Sequence, residues 1–217
     1  MEIKLINNPP SLLNKYIAEI RDINIQHDPL RFRKNIERLG ELFAYEISKT
    51  LTYKEEDVKT PLGIAQEFLP QEEIVITSIL RAGIPFHNGI LNMFDRAQNA
   101  FISAYRKHTE EGEFEIQIEY ISAPNITDKT IILADPMLAT GGSMHLALEA
   151  LKTKGKPKHI HLASIVASQA GVDYIQNAIN DDNVTLWLGA IDEELNAKSY
   201  IVPGLGDAGD LAYGDKL

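Results

Sequence analysis

Between Ile131 and Ser143 the chain reads Ile131-Ile-Leu-Ala-Asp-Pro-Met-Leu-Ala-Thr-Gly-Gly-Ser143. An apolar run ends in Asp135, a short turn carries Thr140, Gly141, Gly142 and Ser143, and Met144 to Leu151 are good helix formers. This is a strand, a tight loop and a helix start. Such a loop aims backbone N–H groups and the positive end of a helix dipole at one place, which suits a phosphate. Gly141 and Gly142 let the backbone come close to a ligand and take positive φ. Thr140 and Ser143 add hydroxyl donors, and either can cap the helix. Asp135 would repel a phosphate at close range but can accept hydrogen bonds from sugar hydroxyls. Acid and cradle a few residues apart suit a ribose 5-phosphate.

Other segments hold groups of the same kind. Ser78-Ile-Leu-Arg-Ala-Gly83 puts Arg81 after an apolar run and before two small residues. A guanidinium fork fits phosphate oxygens, although an isolated arginine in such a loop reads more readily as a surface residue. Arg106 follows a second apolar run, and Lys107 and His108 make that patch basic in an acidic chain. From Tyr200 to Asp210 the glycines at 204, 206 and 209 and Pro203 argue against a regular element. Ile201, Val202 and Leu205 among them favour a packed, shaped loop over a loose tail. His145, His159 and His161 show no metal-ligand spacing and no serine–histidine–aspartate order.

The elements that must position these groups follow from apolar periodicity. Helical spacing of Ile36, Leu39, Leu42, Phe43 and Ile47 predicts a helix over 30–50. Ile74 to Leu80, Ala100 to Tyr105, Ile131 to Leu133, His159 to Ala167 and Val184 to Ala190 read as strands. Helices are expected at Gly83 to Phe94 and Val172 to Ile179. Phe114 to Ile121 alternates as a half-exposed strand does. The polar stretch Arg106 to Glu113 before it reads as a hairpin loop or a mobile flap. Strands alternating with helices imply a parallel α/β sheet, whose ligands sit beyond the carboxyl ends of the strands. Arg81, Arg106 and the Asp135 loop all fall at such ends.

Composition narrows the classes. The chain has 217 residues, 44% hydrophobic and 24% charged, as in an ordinary globular protein. A fold of this size buries roughly 70% or more of its unfolded surface. The absence of cysteine excludes disulfides, thiolate metal sites and cysteine nucleophiles, and agrees with a cytoplasmic protein. A net charge of −10 and a pI of about 5.1 disfavour nonspecific nucleic-acid binding. Met1 to Asn8 has no long apolar core, so no signal peptide is expected, and no apolar run reaches the roughly 20 residues of a membrane span.

The Asp135 to Ser143 segment resembles the phosphoribosyl-pyrophosphate (PRPP) signature of type I phosphoribosyltransferases. Its Asp-Pro-Met-Leu-Ala-Thr-Gly-Gly-Ser form is similar to the uracil phosphoribosyltransferase branch. Ile79 to Gly83 is similar to the diphosphate loop of that branch, and Tyr200 to Asp210 to its uracil-binding loop. Arg31-Phe-Arg33 and the Ile191 to Lys198 stretch extend the likeness over nearly the whole chain. The chain departs from the pattern at three places. Ala134 stands where the wider family has a second acid, Ser78 where Pro is usual, and Leu211 where Lys or Arg follows Asp210.

The resemblance implies a type I phosphoribosyltransferase-like α/β fold. A parallel central sheet is flanked by helices, with a flap hairpin and a C-terminal hood. One domain spans 1–217, with 199–217 forming the uracil loop. It implies conversion of uracil and PRPP to UMP and diphosphate. It places Arg81 and Arg106 on the diphosphate and Asp135 on ribose hydroxyls. Pro136, Met137, Leu138, Ala139, Thr140, Gly141, Gly142 and Ser143 complete the PRPP site. Uracil is placed at Ile201, Gly206, Asp207 and Ala208. Asp207 and Arg106 take catalytic roles, Asp207 meeting PRPP through Mg²⁺, with no direct metal ligand assignable. A homo-oligomer (dimer or larger) and an allosteric nucleotide such as GTP are expected partners. Nucleic acid and membrane are not. Three rivals stand beside this reading: an RNA-binding regulator on the same fold, an enzyme for another base, and a non-catalytic paralogue. The acidic pI opposes the first and the tail loop the second; Ser78 and Leu211 give the third slight support. The group that eases loss of the uracil N1 proton is not legible.

Overall fold

The computed structural model describes residues 1–108 and 114–215, and within them the side chains other than those of 104–108 and 114–117. The chain runs β1 (Glu2–Leu5), α1 (Leu12–Arg21), α2 (Pro29–Ser48), β2 (Tyr53–Thr60), β3 (Gly63–Pro70), β4 (Ile74–Leu80) and α3 (Gly83–Met93). It continues through β5 (Gln98–His108), β6 (Phe114–Ser122), β7 (Thr130–Ala134), β8 (Met137–Leu138) and α4 (Gly142–Lys152). Then come β9 (His159–Ser168), α5 (Gln169–Ala178), β10 (Val184–Asp192), β11 (Glu194–Leu195), β12 (Ile201–Val202) and α6 (Ala208–Tyr213).

The main sheet has the order β1-β10-β9-β7-β4-β5-β6, with the short β8 added to β9. Its pairs are parallel except β5 with β6, an antiparallel hairpin at one edge. Central strands covered on both faces must be apolar on both sides, and every residue of β7 is buried. Its side chains divide alternately. Ile132 and Ala134 join a core with α1, α2 and α3; Ile131 and Leu133 join one with α4 and α5. Three layers result, with one hydrophobic core on each side of the sheet.

The helices begin where side chains satisfy the first N–H groups. The Ser11 hydroxyl accepts from Leu13 N, and Asn14 returns an acceptor to Ser11 N at 2.8 Å. Asp28 accepts from Leu30 N and Arg31 N, and Pro29 occupies the first position of α2, where no N–H is missed. Phe32, Ile36, Leu39, Phe43 and Ile47 then form the buried stripe of α2.

The expected strands and helices are present, with bounds shifted by a few residues. The structure adds β1, α1 and an antiparallel hairpin, β2 with β3, that forms its own two-stranded sheet. The hairpin gives no period-2 signal because neither face is buried: Leu62, Ile64 and Phe68 all lie exposed. The tail departs from the expectation of no regular element. Asp207 caps the short helix α6, accepting from Gly209 N at 2.8 Å and Asp210 N at 3.0 Å, so the helix forms despite Gly209. Residues 109–113, the greater part of the expected flap, lie outside the described residues. β5 and β6 pair up to His108 and Phe114 on either side of them.

Candidate functional site

The loop from Asp135 to Gly141 leaves the end of β7 and is held from behind. Asp135 N donates to Ala163 O, and Ile165 N and Val166 N both donate to Pro136 O. Met137 and Leu138 continue beside Val166 and Ala167 as β8. The Ser168 hydroxyl donates to Ala139 O at 2.6 Å and accepts from Gly171 N at 2.9 Å, so the start of α5 buttresses the loop. Gly141 is the N-cap of α4 with φ +82°, a conformation that side chains rarely adopt. Gly142 is not among the positive-φ glycines, so the conformational demand falls on Gly141 alone. No side chain caps α4. Thr140 and Ser143 therefore leave the first-turn N–H groups for a ligand rather than closing them, contrary to one expectation.

Arg81 follows the end of β4. Its Nη2 donates to Asp210 Oδ1 at 3.0 Å and to Gly214 O at 3.1 Å, tying it to the C-terminal helix. Ser78, the residue in place of the usual proline, is fully buried, and a Cβ on Gly83 would sit 2.5 Å from its hydroxyl. Gly83 therefore has no room for a side chain against Ser78, and the arginine remains at the strand end. Arg106 lies in β5, but its side chain is outside those described.

The tail folds back over the same end of the sheet. Ile201, Leu205, Ala208 and Ala212 are buried in the core on the α1–α3 side. Arg33 Nη1 donates to Ala212 O at 2.6 Å, which gives the Arg31-Phe-Arg33 segment a concrete task. Leu211, in place of the family's usual cation, packs its side chain against this core.

These pieces enclose one cavity of about 930 Å³. Of the sequence-expected residues, Arg81, Asp135, Met137, Leu138, Ala139, Thr140, Gly141, Ser143, Ile201, Gly206, Asp207 and Ala208 line it. Pro136 and Gly142 do not. Pro136 points its carbonyl into the β9 backbone, and Gly142 is the first residue of α4. Ser103, Lys198, Ser199, Tyr200, Asp210 and Asp215 also line the cavity and were not singled out as site residues. All but Ser103 lay inside segments noted in the tail, but no pattern separated them from their neighbours.

Burial lifts the Asp135 carboxyl to about 7, and the Met137 N–H at 3.3 Å opposes that only weakly. The acid is therefore held toward its neutral form, although it is only half-buried and faces a cavity that must receive polar groups. The histidines stay with the plain structural reading. Trp187 Nε1 donates to His161 Nδ1 at 3.1 Å, and burial pushes that ring down to about 3, leaving it a neutral core acceptor. Among the described residues no group of His, Cys, Asp or Glu gathers as a metal cage.

A parallel sheet with a phosphate-type loop and open helix start at the end of a central strand is shared by many nucleotide-binding α/β folds; the superpositions make this one the type I phosphoribosyltransferase fold. An adenine phosphoribosyl transferase from Trypanosoma brucei, solved with AMP, pyrophosphate and ribose-5-phosphate, superposes with a TM-score of 0.54. It covers 87% of this chain and 83% of its own at 15% identity, a likeness of fold. A solved Aquifex aeolicus protein gives a TM-score of 0.87 at 31% identity, covering 99% of each chain. The family model for uracil phosphoribosyltransferase matches residues 8–215. A uracil phosphoribosyltransferase from Porphyromonas gingivalis is 58% identical over 217 residues, 100% of both chains. The chain belongs to the uracil phosphoribosyltransferase family.

Proposed function

We propose that the protein transfers the 5-phosphoribosyl group of PRPP to N1 of uracil, giving UMP and diphosphate, a step of pyrimidine salvage. The observation that carries this reading is that the Asp135–Ser143 loop and the Tyr200–Asp210 loop open into one cavity. A phosphate cradle and a surface of backbone donors and acceptors then face the two ends of one nucleotide.

The C1–oxygen bond to diphosphate breaks, the leaving group takes the electron pair, and uracil N1 forms the new bond as it loses its proton. The protein's contribution is positioning and charge stabilisation. The open start of α4, with Thr140 and Ser143, holds the 5-phosphate. Asp135 accepts from ribose hydroxyls. Arg81 exchanges Asp210 and Gly214 O for the diphosphate, and Arg106 joins it on the strength of the resemblance. Backbone groups of Ile201, Gly206 and Ala208 read the two carbonyls and N3–H of uracil, which cytosine would mismatch. Parallel assays of UMP formation with uracil and of product formation with cytosine and hypoxanthine test the whole reading. Turnover of another base in preference to uracil would overturn it.

Mg²⁺ belongs to this reading as an ion carried by the diphosphate, with Asp207 and Asp210 the carboxylates at hand. That fits a cavity with scattered acids and, among the described residues, no cage, since Mg²⁺ commonly keeps waters and is bound through one or two carboxylates plus substrate phosphates. When bound it neutralises charge developing on the leaving group. Turnover is expected to stop in EDTA and to return with added Mg²⁺. Full activity in metal-free buffer would reject the ion.

Asp135 gives a pH signature. Its carboxyl is raised to about 7, so the neutral acid predominates below that pH and the carboxylate above it. Sugar hydroxyls donate best to the carboxylate. The KM for PRPP is therefore expected to fall as pH rises through 7. Asp135→Asn should raise that KM and flatten this part of the profile, which steady-state kinetics between pH 6 and 8.5 would show. Linkage runs the other way for the ligand-free protein. A carboxyl raised from 3.8 destabilises the fold progressively as pH rises from about 4 to 7.

A homo-oligomer is part of the same proposal, supported by the exposed apolar side chains of the β2–β3 hairpin, and sedimentation measures it. Control by a nucleotide such as GTP is read by titrating it into the assay. A cytoplasmic location accords with the cysteine-free composition. No described helix is long and apolar enough to cross a membrane. The net charge of −10 argues against a nucleic-acid partner.

A further inference from the structure

We propose that Arg21 and Asp192 are positioning residues for the pyrimidine, acting through the main chain of Gly204; this rests on the uracil reading of the tail loop.

The two side chains form a two-pronged ion pair. Arg21 Nη1 lies 2.7 Å from Asp192 Oδ2, and Nη2 lies 2.9 Å from Oδ1. The pair does not stop there. Gly204 N donates to Asp192 Oδ2 at 2.9 Å, and Arg21 Nη1 donates to Gly204 O at 3.0 Å. Both polar groups of one glycine are thus held by a carboxylate and a guanidinium that also hold each other.

That glycine sits inside the loop that would read the base. Ile201 comes before it and Gly206 after it, both lining the cavity. Gly204 has φ +55°, and a Cβ there would run into the Ile201 carbonyl. The turn is therefore shaped by its own tight contact and fixed from outside by charge. The outside supports are stiff. Arg21 is the last residue of α1, whose Ile17 and Ile20 are buried, and Asp192 is the last residue of β10. Backbone donors and acceptors discriminate uracil only while their directions are fixed. A glycine-rich segment has little of its own to fix them.

A buried ion pair is weak evidence of a contribution to stability, because desolvation offsets much of the attraction. Asp192 is 9% exposed. Its use here is directional: planar guanidinium and carboxylate impose an orientation that an apolar pair would not. Neither side chain lines the cavity, so neither touches substrate and neither is catalytic.

The test is a KM split in the intact protein. Arg21→Gln should raise the KM for uracil at least tenfold while the KM for PRPP stays within twofold. Arg21→Lys keeps one donor for the Gly204 carbonyl without the fork and should fall between. Asp192→Asn keeps size and one acceptor, provides a second route if the first variant folds poorly, and should show the same uracil-selective rise. Either role predicts a lower melting temperature, since Asp192 loses its partner; a merely structural pair would move both KM values together or neither. An unchanged uracil KM, or an equal rise for both substrates in a folded variant, overturns the proposal. Amide hydrogen exchange at Gly204 separates this from failure of the uracil reading, since it needs no substrate. Faster exchange in Arg21→Gln supports the brace and unchanged exchange overturns it. A wild-type protein inert toward uracil would instead overturn the functional reading.

Discussion

Gly141→Val is expected to all but abolish UMP formation, lowering kcat/KM for PRPP by about a thousandfold, the upper range for losing a preorganised donor. Gly141 holds φ +82° at the entry to α4, where a β-branched residue is strongly disfavoured. A Cβ there would lie 2.7 Å from the Tyr174 ring, 3.1 Å from Gly171 O and 3.2 Å from Ile175. Tyr174 is exposed and can turn aside, but the Gly171 carbonyl is backbone at the start of α5, where Ser168 also braces Ala139, so it cannot withdraw without moving the loop. The backbone must shift instead, and the first-turn N–H groups of α4 shift with it. Local strain of this kind costs about 1–3 kcal/mol or somewhat more for a branched side chain. A domain stable by roughly 5–15 kcal/mol survives that, so the variant should fold. Circular dichroism and melting establish folding, and PRPP titration establishes the loss. A folded variant with the wild-type PRPP KM would mean that this loop does not hold the phosphate. Substitution of Gly142 is expected to be milder, because its φ is ordinary.

The contrast between the two glycines shows what a sequence can carry. Gly-Gly announces a close turn, but the burden on each glycine depends on what packs behind it, and Tyr174 is 33 positions downstream of Gly141. The same holds for the caps. Thr140 and Ser143 are the right residue types, yet the chain direction into α4 leaves both unused as caps. Central strands were legible because burial on both faces writes a continuous apolar run, as in Ile74 to Leu80 and Ile131 to Leu133. The β2–β3 hairpin was not, since a ribbon with no buried face writes neither alternation nor a run. At the site, the groups proposed to meet ligand stood out by type. The groups that hold them did not. Arg81 finds Asp210 129 positions away, Arg21 finds Asp192 at 171, and Arg33 finds Ala212 at 179. Such pairs are made by topology, which brings the chain's first helices against its tail, and no local pattern encodes them.

Those long-range ties decide the result of ending the chain after Pro203. Uracil binding is expected to disappear, while PRPP binding persists at reduced affinity. The cut removes Gly206, Asp207 and Ala208, and with Gly204 it removes the point that Arg21 and Asp192 hold. Ile201 remains, paired through β12 with β11, but it is one wall without the rest of the loop. The phosphate loop keeps all its supports, because Ala163, Ile165, Val166, Ser168 and Gly171 lie in β9 and α5. Arg81 loses Asp210 and the Gly214 carbonyl. It gains freedom to reach an anion but loses the orientation they impose, and with Asp207 gone a diphosphate-borne cation loses a carboxylate. Partial weakening toward PRPP follows. Stability also falls: Leu205, Ala208 and Ala212 leave the core beside α2, and burying one leucine contributes about 1.5–3 kcal/mol. Each kcal/mol lowers the melting temperature of a chain this size by about 2–4 °C, so binding should be measured well below the wild-type transition. Calorimetric titration of each ligand into the truncated protein distinguishes the outcomes. Unchanged uracil affinity would put the base elsewhere and remove the main support for its assignment. Loss of both ligands with a native circular dichroism spectrum would mean that the tail, through Asp210 and Arg81, organises the phosphate end of the cavity as well.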